Sequence, residues 1–326
     1  MDLNGDGHED ILSGSYSHDD SPMAGLFQVL KGKGDGTFTA AEAVKGTNNE
    51  LLIVSSSETK AGYDNDLDRI CTRPVAVDWD SDGDLDIIVG NFGGTFSLFR
   101  GEGEGKFQPT SEPLMIGNDV LRIEGHHADP FCIDWDKDGD VDLLSGSTNG
   151  GVQWSENTAG AKKMPELKAF VTLIEPGSQS GQGEILKESD LTGPTRCTRI
   201  WVDDVNDDGK LDILVGDCTT LVSFPEGLNE EESKKKEADW QKRMEEIQNK
   251  LIKRQNVSAT EEDSEKDGDT DEKEDSKKED ESEKANKESD ADAMQKVIEE
   301  YQALYEERET FIKEDRTGFV WLYLQK

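Results

Sequence analysis

The chain has 326 residues, with 36 Lys+Arg against 73 Asp+Glu and a formal net charge of −37. So negative a molecule repels phosphate, which excludes nucleic acid and anionic membrane surfaces as partners. No apolar run approaches the roughly 18–20 residues that a membrane span needs, so no membrane insertion is expected. Apolar residues make up only 33% of the chain; part of it must be solvated, or part of its carboxylates must be neutralised by cations.

An internal repeat organises the first two thirds of the sequence. Four nonapeptides share the pattern D-x-[DN]-x-D-G-x-x-D: Asp2 to Asp10, Asp78 to Asp86, Asp134 to Asp142 and Asp204 to Asp212. Their starts lie 76, 56 and 70 residues apart, which describes an array with variable insertions. Apolar runs enter three of them: Pro74 to Val77, Pro130 to Ile133 and Ile200 to Val202. Others leave all four: Ile11-Leu12, Ile87 to Val89, Leu143-Leu144 and Ile213 to Val215, each closed by a glycine. A third, alternating run follows at Leu26–Leu30, Thr95–Phe99, Gly151–Trp154 and Leu221–Phe224. In the first two repeats the glycine turns Gly34 to Phe38 and Gly103 to Phe107 lead into a fourth strand. Short β-branched and aromatic runs bounded by Gly and Asp are strands. Four per unit, repeated, predict an all-β chain, a β-propeller of four-stranded blades spanning 1–224.

From about residue 225 the pattern changes. Trp240, Met244, Ile247 and Leu251 recur at helical spacing, as do Met294, Val297, Ile298, Tyr301, Leu304, Tyr305, Phe311 and Ile312. Each set is an amphipathic stripe. Between them residues 257–292 are almost wholly Glu, Asp, Lys and Ser, a composition that predicts disorder. Residues 225–316 therefore read as a coiled-coil-like helical hairpin with a disordered acidic tip, its helices packing on each other and open to a partner. The β-rich end, Gly318 to Leu324, is expected to return as the closing strand of the last blade (317–326), with Val320 paired to the Leu221–Phe224 strand. The four cysteines, Cys71, Cys132, Cys197 and Cys218, are too few for a disulfide scaffold and read as small core side chains.

The repeats resemble the FG-GAP/VCBS type, the calcium-binding blade also found in integrin α-subunit propellers. The resemblance covers residues 1 to about 224 and implies Ca²⁺ loops on one face of a propeller, usually exported, usually binding rather than catalytic. Family members usually have more than four blades, and this chain begins inside a loop, so an N-terminal portion carrying a signal peptide and further blades is expected upstream of Met1.

The oxygen pattern itself points to calcium. Positions 1, 3, 5 and 9 supply side-chain oxygens, position 7 can offer its carbonyl, and Gly at position 6 permits the sharp turn. About four sites result: Asp2, Asn4, Asp6, His8 and Asp10; Asp78, Asp80, Asp82, Asp84 and Asp86; Asp134, Asp136, Asp138, Asp140 and Asp142; and Asp204, Asn206, Asp208, Lys210 and Asp212. An EF-hand would need a bidentate Glu at position 12 leading into a helix, but that position holds Ser13, Val89, Ser145 and Val215 and a strand follows. Asn4 and Asn206 remove a charge, so loops one and four should bind more weakly than loops two and three. Packing so many carboxylates into one turn without a cation would be repulsive.

The entering strands contain Cys71-Thr-Arg73, His127-Ala-Asp129 and Cys197-Thr-Arg199, each starting seven residues before the first loop aspartate, and bring Arg73, Asp129, Arg199, His126 and His127 toward one another. They are expected to form ion pairs between blades, with an anionic or sugar ligand as the alternative. No Ser-His-Asp signature, phosphate loop or HExxH motif occurs. The reading is a non-enzymatic, extracellular or periplasmic binding or adhesion module whose ligand is a protein or a polysaccharide; the alternative is a polysaccharide lyase or hydrolase with a site near the propeller axis.

Overall fold

A computed structural model describes residues 1–17, 23–54, 65–178, 185–264 and 279–326. The side chains of residues 65, 66, 251, 253–264 and 279–293 lie outside the described set. In chain order the strands and helices are β1 (Ile11–Ser13), β2 (Gln28–Leu30), β3 (Glu42–Ala43), α1 (Asn65–Asp68), β4 (Arg73–Val77), β5 (Asp86–Gly90), β6 (Phe96–Phe99), β7 (Glu112–Pro113), β8 (Met115–Ile116), β9 (Asp119–Val120), β10 (Asp129–Ile133), β11 (Asp142–Gly146), β12 (Val152–Ser155), β13 (Val171–Ile174), β14 (Arg199–Asp203), β15 (Asp212–Gly216), β16 (Thr219–Ser223), α2 (Glu230–Ser264), α3 (Glu279–Arg308), β17 (Lys313–Thr317) and β18 (Val320–Tyr323).

The chain is β-rich and divides into two compact units. The first takes the described residues of 1–179, 189–219 and 316–326; the second takes those of 180–188 and 220–315.

In the first unit, four antiparallel sheets follow one another: β1-β2-β3, β4-β5-β6-β7, β10-β11-β12-β13 and β14-β15-β18. The entering and leaving runs of each later nonapeptide pair as a hairpin around it, with Val77 opposite Asp86, Ile133 opposite Asp142 and Asp203 opposite Asp212. Both faces of the second strand are covered, so β5 and β11 read as continuous apolar runs and are buried throughout. Three cores fill the spaces between successive sheets. Phe27, Val29, Ile87 and Phe99 pack between the first and second, with the Phe27 and Phe99 rings edge to face at 5.6 Å. Ile88, Leu98 and Leu143 pack between the second and third, and Leu144, Val152, Ile213 and Val215 between the third and fourth.

The C-terminal strand corrects one expectation. Val320 does not pair with the Leu221–Phe224 strand. It lies opposite Gly216, and β18 runs antiparallel to β15 with Leu322 opposite Leu214. The third place in the fourth sheet therefore belongs to the returning chain. Two features place it there. Trp321 and Tyr323 pack against the core shared with the third sheet, and Asp217 accepts hydrogen bonds from Phe319 N–H (2.8 Å) and Trp321 Nε1–H (3.3 Å). β16 pairs instead with β17.

In the second unit Val222, Trp240, Met244, Ile247, Val297, Leu304, Phe311 and Ile312 form one core. Asn229 caps α2 by accepting the Glu232 N–H (2.8 Å), and three glutamates follow in the first turn, where the helix dipole favours them. Trp240 Nε1–H donates to the Leu304 carbonyl (2.7 Å), and the Arg308 guanidinium lies 4.9 Å from the Trp240 ring centre while pairing with Glu237 (3.2 Å). Ile298 and Tyr305, expected in the stripe, are exposed, and the Leu251 side chain lies outside the described set. The acidic tip also differs from expectation: residues 257–264 and 279–292 are helical, and 265–278 lie outside the described residues. Glu, Lys and Ala are good helix formers, so a composition that reads as disordered is also compatible with a helix. Of the cysteines, Cys71 is buried and Cys132 half-buried, but Cys197 and Cys218 are exposed, which corrects their reading as core; all four are free thiols.

Leu144 is fully buried in the core between the third and fourth sheets. Leu144→Ala is expected to lower the unfolding free energy by about 2–5 kcal/mol, read as a lower denaturant midpoint with an unchanged slope.

Candidate metal loops

Each nonapeptide folds through left-handed backbone at two places. Position 4 has φ near +60 to +73° at Gly5, Ser81, Lys137 and Asp207. Position 6 reaches +85, +99, +97 and +82° at Gly7, Gly83, Gly139 and Gly209. Around Gly7, Gly83 and Gly209 nothing lies within 4 Å of a would-be Cβ, so conformation rather than space requires the glycine there. These turns bring alternate residues to one side of the loop.

The ninth-position aspartate is the fixed point of every loop. Asp10, Asp86, Asp142 and Asp212 are all buried. One oxygen of each accepts the N–H of the loop's second residue: Leu3 (3.0 Å), Trp79 (3.0 Å), Trp135 (3.1 Å) and Val205 (3.1 Å). The other accepts an N–H from two residues beyond the strand that pairs with the outgoing strand (β2, β6, β12 and β18): Gly32 (2.8 Å), Gly101 (2.7 Å), Asn157 (2.8 Å) and Gln325 (3.0 Å). Sequence reading assigned these carboxylates to closing a metal site and missed this second task.

The loops then separate into two pairs. In loops one and four the first aspartate is saturated by its own turn. Asp2 accepts Gly5 (2.8 Å), Asp6 (3.1 Å) and Gly7 (2.7 Å) N–H groups, and Asp204 accepts those of Asp208 (2.9 Å) and Gly209 (2.7 Å). Asn4 and Asn206 each accept one more amide at 2.9 Å. These amides, that of Gly7 first, hold the Asp2 carboxyl below its ordinary range. Where loops two and three have an aspartate at position 7, loops one and four have His8 and the cationic Lys210.

Loops two and three are different. Asp78 and Asp134 each receive a single amide on Oδ2, from Gly83 (3.2 Å) and Gly139 (3.1 Å). Their Oδ1 atoms are buried and accept nothing, as are Asp80 Oδ1 and Asp140 Oδ1. Carboxylate oxygens of Asp78, Asp80 and Asp86 lie within 4.8 Å of one another, and so do those of Asp134, Asp136 and Asp138. Among the described residues these are the clusters with metal-ligand spacing. Asp82 and Asp84 in loop two, and Asp140 and Asp142 in loop three, complete the acidic turns; Asp140 Oδ2 accepts the Gly160 N–H (2.7 Å). One cation attends loop two, where Arg100 Nη1 donates to Asp80 Oδ2 (3.0 Å).

The charge state records the strain of this arrangement. Burial pushes the carboxyls of Asp86, Asp136 and Asp140 above the usual range, with neighbouring loop carboxylates adding to the effect. Asp142 is pushed up to about 6, chiefly by burial and against the pull of its two amide donors. Buried oxygens without donors and carboxyls pushed above their usual range are what a hard cation would remedy, and an all-oxygen donor set suits Ca²⁺.

With this geometry in view, comparison with known families is informative. Residues 78–145 match the FG-GAP-like repeat. The chain carries an FG-GAP-type repeat. The FG-GAP-like stretch runs from the first residue of loop two through loop three into β11, so it holds both carboxylate clusters. No curated protein matches the chain.

The Asp142 value carries a pH consequence. A carboxyl whose folded pKa lies above its unfolded value of 3.8 makes the folded state bind more protons between the two. Its contribution to stability is therefore present at low pH and is lost as pH rises through about 6. In chelator, the fall in unfolding free energy between about pH 4 and pH 7 is expected to be shallower in Asp142→Asn than in the parent protein, as measured by denaturant titration at each pH.

Proposed function

We propose that this protein is a calcium-stabilised β-propeller that acts as a binding or adhesion module outside the cytosol. The observation carrying the reading is the set of four buried, donor-less carboxylate oxygens in loops two and three, on Asp78, Asp80, Asp134 and Asp140. The FG-GAP-like match over those loops supports it, as does the succession of face-packed antiparallel sheets.

In this reading Asp78, Asp80 and Asp86, with Asp82 and the Asp84 carbonyl, hold one ion. Asp134, Asp136 and Asp138, with Asp142 and the Asp140 carbonyl, hold another. When bound, the ion supplies positive charge at the turn of each hairpin. The residues do the rest: the ninth aspartate ties the loop to the far end of its sheet, and the first and third aspartates close the turn. Loops one and four, whose first aspartates are already satisfied by amides, are weaker sites. The role is structural, so the ion's binding energy adds to folding. Extracellular calcium fills sites of about 10⁻⁴–10⁻³ M and cytosolic calcium does not, so this reading goes with an exported compartment. Among the described residues no helix is long and apolar enough to cross a membrane.

Scanning calorimetry in calcium and in chelator tests the proposal. Calcium at about one hundred times its dissociation constant is expected to add about 2.7 kcal/mol per filled site, and so to raise the melting temperature. The double variant Asp78→Asn, Asp134→Asn should lose most of that rise, whereas Asp2→Asn should keep it. An identical melt in calcium and chelator would refute structural calcium.

A further inference from the structure

The N-terminal ends of β4, β10 and β14 and the C-terminal end of β1 meet around a cavity of about 310 Å³. This is the end of the entering strands opposite to the metal loops. Arg73, Asp129 and Arg199 project into its lining together with Ser15, Tyr16 and Thr72. Asp129 Oδ1 accepts from Arg199 Nη1 (2.9 Å) and faces Arg73 Nη1 at 3.6 Å, so two guanidiniums share one carboxylate oxygen. Arg73 also donates to the His127 carbonyl (3.1 Å), but its Nε is buried and has no acceptor.

The charge here does not balance. The side chains of Arg73 and Asp129 are only 12% and 13% exposed, so the pair sits largely out of water, and the second arginine leaves a surplus positive charge. In a chain of net charge −37 that is an isolated basic spot. A largely buried cation with an unused donor is costly unless an anion meets it. Arg199, 59% exposed, leaves the approach from solvent open.

The geometry points to this cavity as the binding site for an acidic sugar, a single hexuronate ring whose carboxylate meets the Arg73 and Arg199 guanidiniums. A guanidinium fork matches a planar carboxylate. The volume exceeds what a bare small anion fills and lies at the lower end of small-molecule pockets. The remaining lining includes the hydroxyl-bearing Ser15 and Tyr16, which offer partners for ring hydroxyls. The site uses none of the metal-loop residues and does not depend on the calcium reading.

Titration calorimetry on the full chain in calcium buffer, with galacturonate, galactose and acetate as probes, tests this. Galacturonate is expected to bind at least about tenfold more tightly than either of the others, and Arg199→Gln to weaken it by about tenfold or more. Arg199→Lys, which keeps the charge but loses the fork, should fall between the two. An unchanged denaturant midpoint for each variant shows that it remains folded. Equal affinity for galactose, equal affinity for acetate, or galacturonate binding indifferent to Arg199→Gln would each overturn the proposal.

Discussion

One hydrogen-bonding device recurs in all four sheets: a buried aspartate whose two oxygens hold two amides far apart in sequence. Asp86 joins Trp79 to Gly101, and Asp142 joins Trp135 to Asn157. One amide belongs to the loop and the other to the end of the third strand, so a single side chain sets the register of loop, second strand and third strand together. A charged acceptor with two main-chain donors is among the stronger hydrogen-bonding arrangements, and losing it would leave buried polar groups on both sides. It explains the path of the C-terminus. In the fourth sheet the required amide comes from Gln325, two residues beyond β18, as Gly32, Gly101 and Asn157 stand two residues beyond β2, β6 and β12. β18 is the third strand of its sheet in register as well as in place.

The same device leaves an electrostatic debt. Each loop concentrates four or five oxygen-bearing side chains, and only some of their oxygens meet donors. Loops one and four settle this internally: an asparagine replaces one charge and the first aspartate is saturated by turn amides. Loops two and three keep the full acidic set and keep buried oxygens without donors. Loops of one consensus thus differ in chemistry because Asn4 and Asn206 stand where the others have Asp80 and Asp136, His8 and Lys210 stand where they have Asp84 and Asp140, and the turn amides meet the first aspartate. The acidity of the chain divides along similar lines. Between Glu226 and Arg316 there are 18 basic and 32 acidic residues, contributing −14, on the helical unit. The rest resides with the sheets and their loops.

Much of this was legible in the sequence, and the failures have a common cause. The four nonapeptides, the hairpins around them and the apolar stripe of Trp240, Met244 and Ile247 follow from local periodicity, which is what a sequence displays. The exchange of third strands was not legible. Leu221–Phe224 and Val320–Leu324 both alternate as strands, and local pattern cannot say which of them meets β15. That choice rests on Asp217 and Asp212 gathering amides more than 100 residues away. The helicity at the acidic tip was hidden because composition registers charge density but not the helix propensity of its Glu, Lys and Ala residues. For the loops, spacing announced which residues carry oxygens. It could not show which oxygens the backbone already occupies, and that distinction separates loops two and three from loops one and four.

The entering strands link the two ends of the sheet unit. β4 and β10 each have five residues, about 17 Å end to end. Arg73 and Asp129 stand at their first positions, and loops two and three begin one residue after their last. Pairing is continuous along them: Arg73 lies opposite Gly90 while Val77 lies opposite Asp86, and Asp129 lies opposite Gly146 while Ile133 lies opposite Asp142. The hairpin that a loop closes at one end therefore fixes the position of the charged residue at the other. A strand this short, covered on both sides, has little freedom to rotate without breaking its ladder. The ladders of β4 and β10 thus fix where Arg73 and Asp129 stand, and Asp129 meets both Arg73 and Arg199 through one carboxylate oxygen.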